Sequence, residues 1–458
     1  MFDDDIAAIS TPPGEGGIAI VRLSGPEVIF KTASIFKPYN KDKDLAMQPG
    51  YTMQLGWLLD SAGGIIDEVL ISIMKAPHSY TGEDVIEINC HGGALPARRC
   101  LQAVLGQGIR LAEPGEFTRR AFLNGRIDVN QAEAVIEIIR AKSDKALELA
   151  VKQLHGHNSR QIMNLEEQLL AVIAQVQASI DFPDEVGDLD DEEFVKQLQE
   201  IQDHIDAILL AAERAEVYRQ GFNIAIIGKP NVGKSSLLNA LLKKNRAIVT
   251  DIPGTTRDVI EEYLTIDGIP VKLVDTAGIR FTEDTVEKLG VKRSEEVLDS
   301  ADLVIWMLDF ASGITEEDMN IFHKVAEKER IVLVNKEDLE ANISEKDLQQ
   351  LFPDDIIIKA SIKEETGLDD LTDCIAEIAV SGEIGRGQLE IMLNIRQRNA
   401  FLKAQSHIKE AIRTAGLITL DCLAVDLSIA LEALGELIGK NSKEEVMDRI
   451  FSDFCIGK

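Results

Sequence analysis

The chain has 458 residues, a formal net charge of −30, 45% hydrophobic and 28% charged side chains, and only 5% aromatic residues. That length holds about two to four domains with sizeable cores, and the low aromatic content suits helix-rich parts built on Leu, Ile and Ala. So acidic a chain repels nucleic acid at long range, so any RNA contact needs a local basic patch such as Arg98 and Arg99, Arg119 and Arg120, or Lys243, Lys244 and Arg246, each by itself an ordinary solvated cluster.

Residues Met1 to Asp5 are acidic, the wrong sign for a secretory or transit leader. From there to about residue 120 the text reads as mixed α/β. IAIVRL (Ile18 to Leu23) and DVIEI (Asp84 to Ile88) are short β-rich runs punctuated by TPPGEGG, SGP, HGG and EPGE.

From about Val129 to Ile180 Gly and Pro nearly vanish. Ile162, Leu165, Leu169, Val172, Val176 and Ile180 recur at three- and four-residue steps, one face of a helix. FPDE (Phe182 to Glu185) breaks the pattern and opens an acidic connection. A second helix is expected over about 192–219, with Leu198, Ile201, Ile205 and Leu209 as its buried stripe.

Phe222 to about Val380 alternates strands and helices. NIAIIG, VKLVDTAG, DLVIWMLD, IVLVNKED and DIIIKAS are the expected strands of a parallel sheet covered on both faces. From about Leu389 to Phe454 the chain is helical again, with Leu417, Leu420, Leu423, Leu427, Leu431 and Leu434 at helical steps. The simplest architecture joins the two helical stretches into one domain with the α/β module inserted between them. Nowhere does an apolar run approach the ~20 residues of a membrane span. The five cysteines (Cys90, Cys100, Cys374, Cys422, Cys455) have no paired spacing, which fits a reducing cytoplasm and argues against a disulfide framework or a zinc ribbon.

Four strings in the inserted module make a guanine-nucleotide site: GKPNVGKSS (Gly228 to Ser236), GTT (Gly254 to Thr256), DTAG (Asp275 to Gly278) and NKED (Asn335 to Asp338). The first follows an apolar strand and opens a helix, the context of a phosphate loop. Backbone N–H groups across Asn231, Val232, Gly233, Lys234, Ser235 and Ser236 cradle phosphates, Lys234 reaches the terminal ones, and Ser235 ligates Mg²⁺. Thr256, in the loop Thr250, Asp251, Ile252, Pro253, Gly254, Thr255, is the expected second Mg²⁺ ligand. Asp275 holds the Mg²⁺ shell, and Thr276, Ala277 and Gly278 approach the γ-phosphate. Asp338 selects guanine, because its carboxylate accepts from paired N–H donors that adenine lacks. Asn335 and Lys336 brace the base, and Ser361 is the last base contact. Where Ras-like enzymes carry a water-orienting Gln, this chain has Ile279, so the missing help comes from elsewhere, with Arg280, Glu283, Asp284 and Glu287 as nearby candidates.

Beyond these motifs, TPPGEGGIAIVRLSGP, YTGEDVIEINCHGG, PGEFTRRAFLNGRIDVNQAEAV and the final FCIGK resemble the tRNA-modification GTPase MnmE (TrmE) family over essentially the whole length. The resemblance implies an α/β plus all-α protein. Residues 1–120 would be a tetrahydrofolate-binding and dimerisation domain, 121–219 and 381–458 a helical domain, and 220–380 an inserted Ras-like G domain. It implies a homodimer working with an FAD-containing partner, MnmG (GidA). Together they would add an aminomethyl or carboxymethylaminomethyl group to carbon five of the wobble uridine of certain tRNAs. GTP hydrolysis would be stimulated by K⁺ held by Asn231, Thr250, Ile252 and Thr255, with Glu287 positioning the attacking water and Lys234 and Asp275 completing the catalytic set. A cation there offsets developing charge as an arginine would. Arg22, Glu87, Arg126 and Lys458 would bind 5-formyl- or methylene-tetrahydrofolate. Cys455 would lie beside it as a redox or nucleophilic group, the alternative being a buried terminal thiol. CIGK meets only the loosest lipidation pattern, since Gly457 is not aliphatic and Lys458 is not a usual final residue. Two rival classes are a ribosome-assembly switch, which would carry an RNA-binding domain after the G domain, and a membrane-remodelling GTPase, which would need an apolar or basic amphipathic anchor.

Overall fold

The computed structural model describes residues 3–186, 190–245, 261–275, 298–381, 391–440 and 444–458. Its backbone divides into two compact units, one of Met1–Ile136, Lys152–Gln202 and Asn399–Lys458, the other of Glu137–Val151 and Asp203–Arg398. Among the described residues no helix is long and apolar enough to cross a membrane.

The first unit holds a seven-stranded sheet of β1 (Ile6–Ile9), β2 (Ile18–Ser24), β3 (Phe36–Pro38), β4 (Thr52–Leu59), β5 (Ile65–Met74), β6 (Val85–His91) and β7 (Arg110–Leu111). Their order is β3-β4-β5-β6-β2-β1-β7, antiparallel except where β7 runs parallel to β1. Period-two alternation sets the two faces. Ala19, Val21 and Leu23 of β2 and Ile86, Ile88 and Cys90 of β6 join Ala97, Cys100 and Val104 of the helix Ala94–Leu105 in one core. The intervening residues, Arg22 and Glu87, therefore point to the other face, and the β2–β6 register sets them directly opposite one another.

The helical stretch expected from about Val129 to Ile180 is made of three helices, Val129–Arg140, Asp144–Leu154 and His157–Asp181. The last break falls at Gly156, whose φ of +77° helical L-residues do not adopt. Ile162, Leu165, Leu169, Val172 and Val176 form the buried stripe of His157–Asp181 as their spacing predicts. That helix packs against Leu420–Ile438, whose Leu423, Leu427 and Leu434 are buried. A Lys440–Glu166 ion pair at 2.9 Å ties the same two segments. Leu417 departs from the expected stripe. It lies in the turn before that helix and is 79% exposed. The last helix, Glu444–Ser452, buries Met447 and Phe451 against Ala121, Val129 and Ala132, and Phe454 closes the cluster. That packing carries the end of the chain onto the N-terminal sheet.

The second unit is built on six strands, β8 (Phe222–Gly228), β9 (Glu261–Ile266), β10 (Ile269–Asp275), β11 (Leu303–Asp309), β12 (Arg330–Asn335) and β13 (Ile356–Ala360), in the order β13-β12-β11-β8-β10-β9. All neighbours are parallel except β9, which pairs antiparallel with β10. This edge strand is absent from the sequence expectation. It is joined to β10 through Asp267 and Gly268, both at positive φ, the Asp-Gly pair that a tight hairpin selects. Leu237, Leu241, Leu371 and Ile375 cover one face. Trp306, in contact with Phe322 and Phe352, anchors the other. The long apolar runs of β8, β11 and β12 follow from this two-sided burial.

Candidate nucleotide site and N-terminal pocket

The five parallel strands end at Gly228, Asp275, Asp309, Asn335 and Ala360, and loops from those ends build the nucleotide site, as open α/β sheets dictate. After Gly228 the backbone turns through Asn231, at φ +65°, and Gly233, at φ +107°, into the helix Lys234–Asn245. A Cβ on Gly233 would lie 2.5 Å from Asn335 Nδ2, so only glycine fits there. The turn aims the helix N-terminus at the loop cavity, where N–H groups and the helix dipole favour phosphate. Lys234 Nζ donates to the carbonyls of Gly228 and Lys229, each at 2.8 Å, and so spans the loop. Ser235 and Ser236 are exposed on the first helical turn, with Val232 buried beneath them.

A second cation, Lys229, anchors the loop from outside. Its Nζ lies 2.7 Å from Asp318 Oδ2 and donates to Thr315 Oγ1 at 3.0 Å. Asp318 is fully buried and also accepts from the Thr315 N–H at 2.8 Å, closing a capping box on the helix Glu316–Lys324. Sequence reading does not find this contact, because Lys229 and Asp318 meet only through tertiary packing.

The base-recognition loops are locked to each other and to the phosphate loop. Asn335 Nδ2 donates to the Val232 carbonyl at 2.7 Å, and Asn335 Oδ1 accepts from the Ile362 N–H at 3.2 Å. Lys336, at φ +70°, pairs with Asp309 Oδ2 at 2.6 Å. Burial pushes the Asp309 carboxyl up, but the Lys336 ammonium and the Ala311 N–H outweigh it and hold the group below its ordinary value. Buried Ser361 donates to Asp338 Oδ1 at 2.6 Å, and this hydroxyl keeps the exposed Asp338 ionised below the usual carboxylate range. The arrangement presents a fixed carboxylate to a base carrying two adjacent N–H donors.

Asp275 is the last residue of β10, with its backbone in register with Ile226 of β8. Thr250, Asp251, Ile252, Pro253, Gly254, Thr255 and Thr256, then Thr276, Ala277, Gly278 and Glu287, lie outside the described residues, as do Ile279, Arg280, Glu283 and Asp284.

In the first unit, Arg22 Nε donates to Glu87 Oε1 at 2.9 Å and Arg22 Nη2 lies 2.8 Å from the same oxygen. Arg22 Nη1 and Ser10 Oγ both donate to the Gly457 carbonyl, at 3.2 and 3.0 Å. The chain end is thus held against the sheet, and the Phe117 N–H donates to the Lys458 carbonyl at 3.2 Å. Gly457 has φ +95°, and a Cβ there would lie 2.5 Å from the Ile9 carbonyl. Burial, then the nearby Arg22, lowers the Lys458 ammonium below its ordinary value. Arg22 and Arg126 stack over the Tyr80 ring at 5.3 and 5.1 Å, and the Tyr80 hydroxyl pairs with Thr118 Oγ1 at 2.8 Å. All four residues expected from the resemblance therefore share contacts or partners in one cluster. Tyr80 and Ser10 are additions that no local pattern marks. Cys455 is exposed, which removes the buried-thiol alternative.

Two family models match the chain. The MnmE helical domain covers residues 129–455, and the GTP-binding protein TrmE N-terminus covers residues 5–126. A tRNA modification GTPase MnmE from Syntrophomonas wolfei is 62% identical over 459 residues, covering 100% of both chains. The proteins of that description from Thermoanaerobacter pseudethanolicus and Moorella thermoacetica are each 48% identical, again over 100% of both chains. Among solved structures, the G domain of the T. maritima FeoB iron transporter is 26% identical, covering 34% of this chain and 98% of that one, with a TM-score of 0.27.

Proposed function

The chain belongs to the MnmE family of tRNA modification GTPases, and on that premise we propose that it is a cytoplasmic, K⁺-activated GTPase acting on the wobble uridine of certain tRNAs. The observation that carries the nucleotide part is the Asp338 carboxylate fixed by Ser361, with Asn335 tying that loop to the phosphate loop. A carboxylate so placed matches the paired donors of guanine and would be stranded against adenine.

Mg²⁺ would take the exposed Ser235 hydroxyl with Thr256 and supply charge neutralisation at the β- and γ-phosphates. Asn231, exposed and at positive φ in the phosphate loop, suits a K⁺ ligand, with Thr250, Ile252 and Thr255 as the others. Lys234 holds the terminal phosphates and Glu287 orients the attacking water, with Asp275 backing the metal shell. In the N-terminal pocket, Glu87 would accept from pterin N–H groups, the Tyr80 ring offers a stacking face, and Arg22, Arg126 and Lys458 balance anionic groups of a tetrahydrofolate. The bound folate would supply the one-carbon unit. We also propose a homodimer, an FAD-containing partner (MnmG), and the division 1–120, 121–219, 220–380 and 381–458 into folate-binding, helical, G and helical segments.

GTP turnover measured in KCl and in NaCl at equal ionic strength tests the reading. Turnover should rise strongly in KCl, and Glu287→Ala should abolish the gain. Equal rates in the two salts reject K⁺ activation.

A further inference from the structure

The five cysteines look scattered in the sequence, yet the fold brings two together with a carboxylate. Asp67 leaves β5, Cys90 leaves β6, and Cys100 comes from the helix Ala94–Leu105. One ligand atom from each lies within 4.8 Å of the other two. Cys90 is 3% exposed and Cys100 fully buried, while the Asp67 side chain is 13% exposed and forms the open edge. His91 fixes that carboxylate, with its backbone N–H donating to Asp67 Oδ2 at 2.8 Å and its Nδ1 lying 2.7 Å from Asp67 Oδ1.

We propose that Asp67, Cys90 and Cys100 form a three-ligand site for a zinc-class divalent ion, with solvent at the fourth position and His91 orienting Asp67. Two sulfurs and one carboxylate oxygen are a borderline-soft set suited to Zn²⁺. Tetrahedral zinc with sulfurs at about 2.3 Å places ligand atoms about 3.8 Å apart, so shifts of about 1 Å or less gather this set. The imidazole hydrogen-bonded to a ligating carboxylate is the outer shell that such sites use to fix ligand orientation. Core thiols alone are common as small apolar fillers. A carboxylate held beside two of them at the edge of an apolar core is what that bland account leaves unexplained. Cys90 Sγ donates to the Ala19 carbonyl at 3.3 Å, and coordination would displace that proton, so metal uptake releases protons to solvent. The ion would clip β5, β6 and the following helix together, beside the point where Gly92 donates to the Gly17 carbonyl of the TPPGEGG segment.

The test uses the full chain, reduced and nucleotide-free, with the exposed Cys422 and Cys455 replaced by Ser. Co²⁺ serves as the probe, and the thiolate-to-cobalt charge-transfer absorption is the readout. It should saturate near one equivalent, be displaced by Zn²⁺, and vanish in Cys90→Ser and in Cys100→Ser. His91→Ala should weaken binding about 10–100-fold, and Asp67→Asn, which keeps both thiols and the side-chain volume, should weaken it further. Where a Cys→Ser chain fails to fold, the Asp67→Asn titration decides alone. Absence of the band in the reduced chain overturns the site, as does a band unchanged by Asp67→Asn. A Cys90–Cys100 disulfide whose reduction yields no cobalt binding also overturns it, leaving a redox pair in place of a metal site.

Discussion

The buried amide of Asn335 joins the two halves of the nucleotide site by donating from Nδ2 to the carbonyl of Val232 at 2.7 Å. Its Oδ1 accepts from Ile362 N–H, so Asn335→Ala leaves one carbonyl and one N–H buried and unpaired. Each such group costs about 1–3 kcal/mol. GTP and GDP affinity should fall together by about 10- to 100-fold, read by fluorescent-nucleotide titration. Unchanged affinity would mean that the two loops hold their places independently.

Ser361 and Asp338 set base choice. Ser361→Ala removes the hydroxyl that orients the carboxylate, and should weaken GTP more than ATP. Asp338→Ala should collapse the guanine preference, which a site of this kind maintains at roughly 10⁴-fold. Competition of GTP and ATP against one labelled nucleotide measures both.

The N-terminal pocket should show a pH signature. The Lys458 ammonium is depressed by burial and by Arg22, so in the free protein it gives up its proton below the ordinary lysine value of 10.5. An anionic folate favours the protonated form. Affinity should therefore be highest below the depressed value and decline as pH rises through it, with proton uptake on binding inside that window. Lys458→Met should flatten the profile and lower affinity at neutral pH. Isothermal titration in buffers of different ionisation enthalpy reads the proton count.

Gly457→Ala should detach the chain end without touching a ligand-facing side chain. The residue sits at φ +95°, and its Cβ would meet the Ile9 carbonyl, so the tail must move and Arg22 and Ser10 lose their acceptor. Folate affinity should drop about as far as with Lys458→Met, while GTP turnover stays at the parent level. Equal folate binding in parent and variant would contradict the docking of the tail.

Arg120 is fully buried and pairs with Asp4, Glu83 and Glu116. Replacing it by Met leaves the buried Glu83 carboxylate without its cation, a loss of about 3–5 kcal/mol, and should lower the melting temperature of the full chain markedly. Burial pushes Glu116 up, yet Arg110, the Glu113 N–H and Arg120 together hold it below its ordinary 4.5. Its contribution is therefore present above about pH 4.5 and is lost as pH falls through the depressed value. Thermal melts across roughly pH 3 to 6 check the sign.

The nucleotide loops were legible because a phosphate cradle is made of consecutive backbone N–H groups, and the residues that shape it are neighbours in the text. The helix Lys234–Asn245 and the apolar strands β8, β10, β11, β12 and β13 follow from the same local patterns. Residues that meet by strand register or packing were opaque. Arg22 and Glu87 are ordinary strand charges until β2 is laid against β6, and Tyr80 reaches its two guanidinium neighbours only from a loop. Cys90 and Cys100 lie across a strand-to-helix turn whose geometry no spacing rule encodes. Strand β9 lacks the continuous apolar run of the others, since EEYLTI opens on Glu261 and Glu262, and only the Asp267–Gly268 hairpin marks it. Periodicity alone carries Leu417 into the stripe because the turn that precedes Thr419 does not interrupt the helical spacing.

Nucleoside analysis of total tRNA from cells lacking this gene, complemented with the parent chain or with Lys234→Ala, bears most directly on the assignment. Loss of the carbon-five substituent at the wobble uridine, restored by the parent and not by the variant, is the predicted result. An unchanged nucleoside profile accompanied by a ribosome-assembly defect would contradict it.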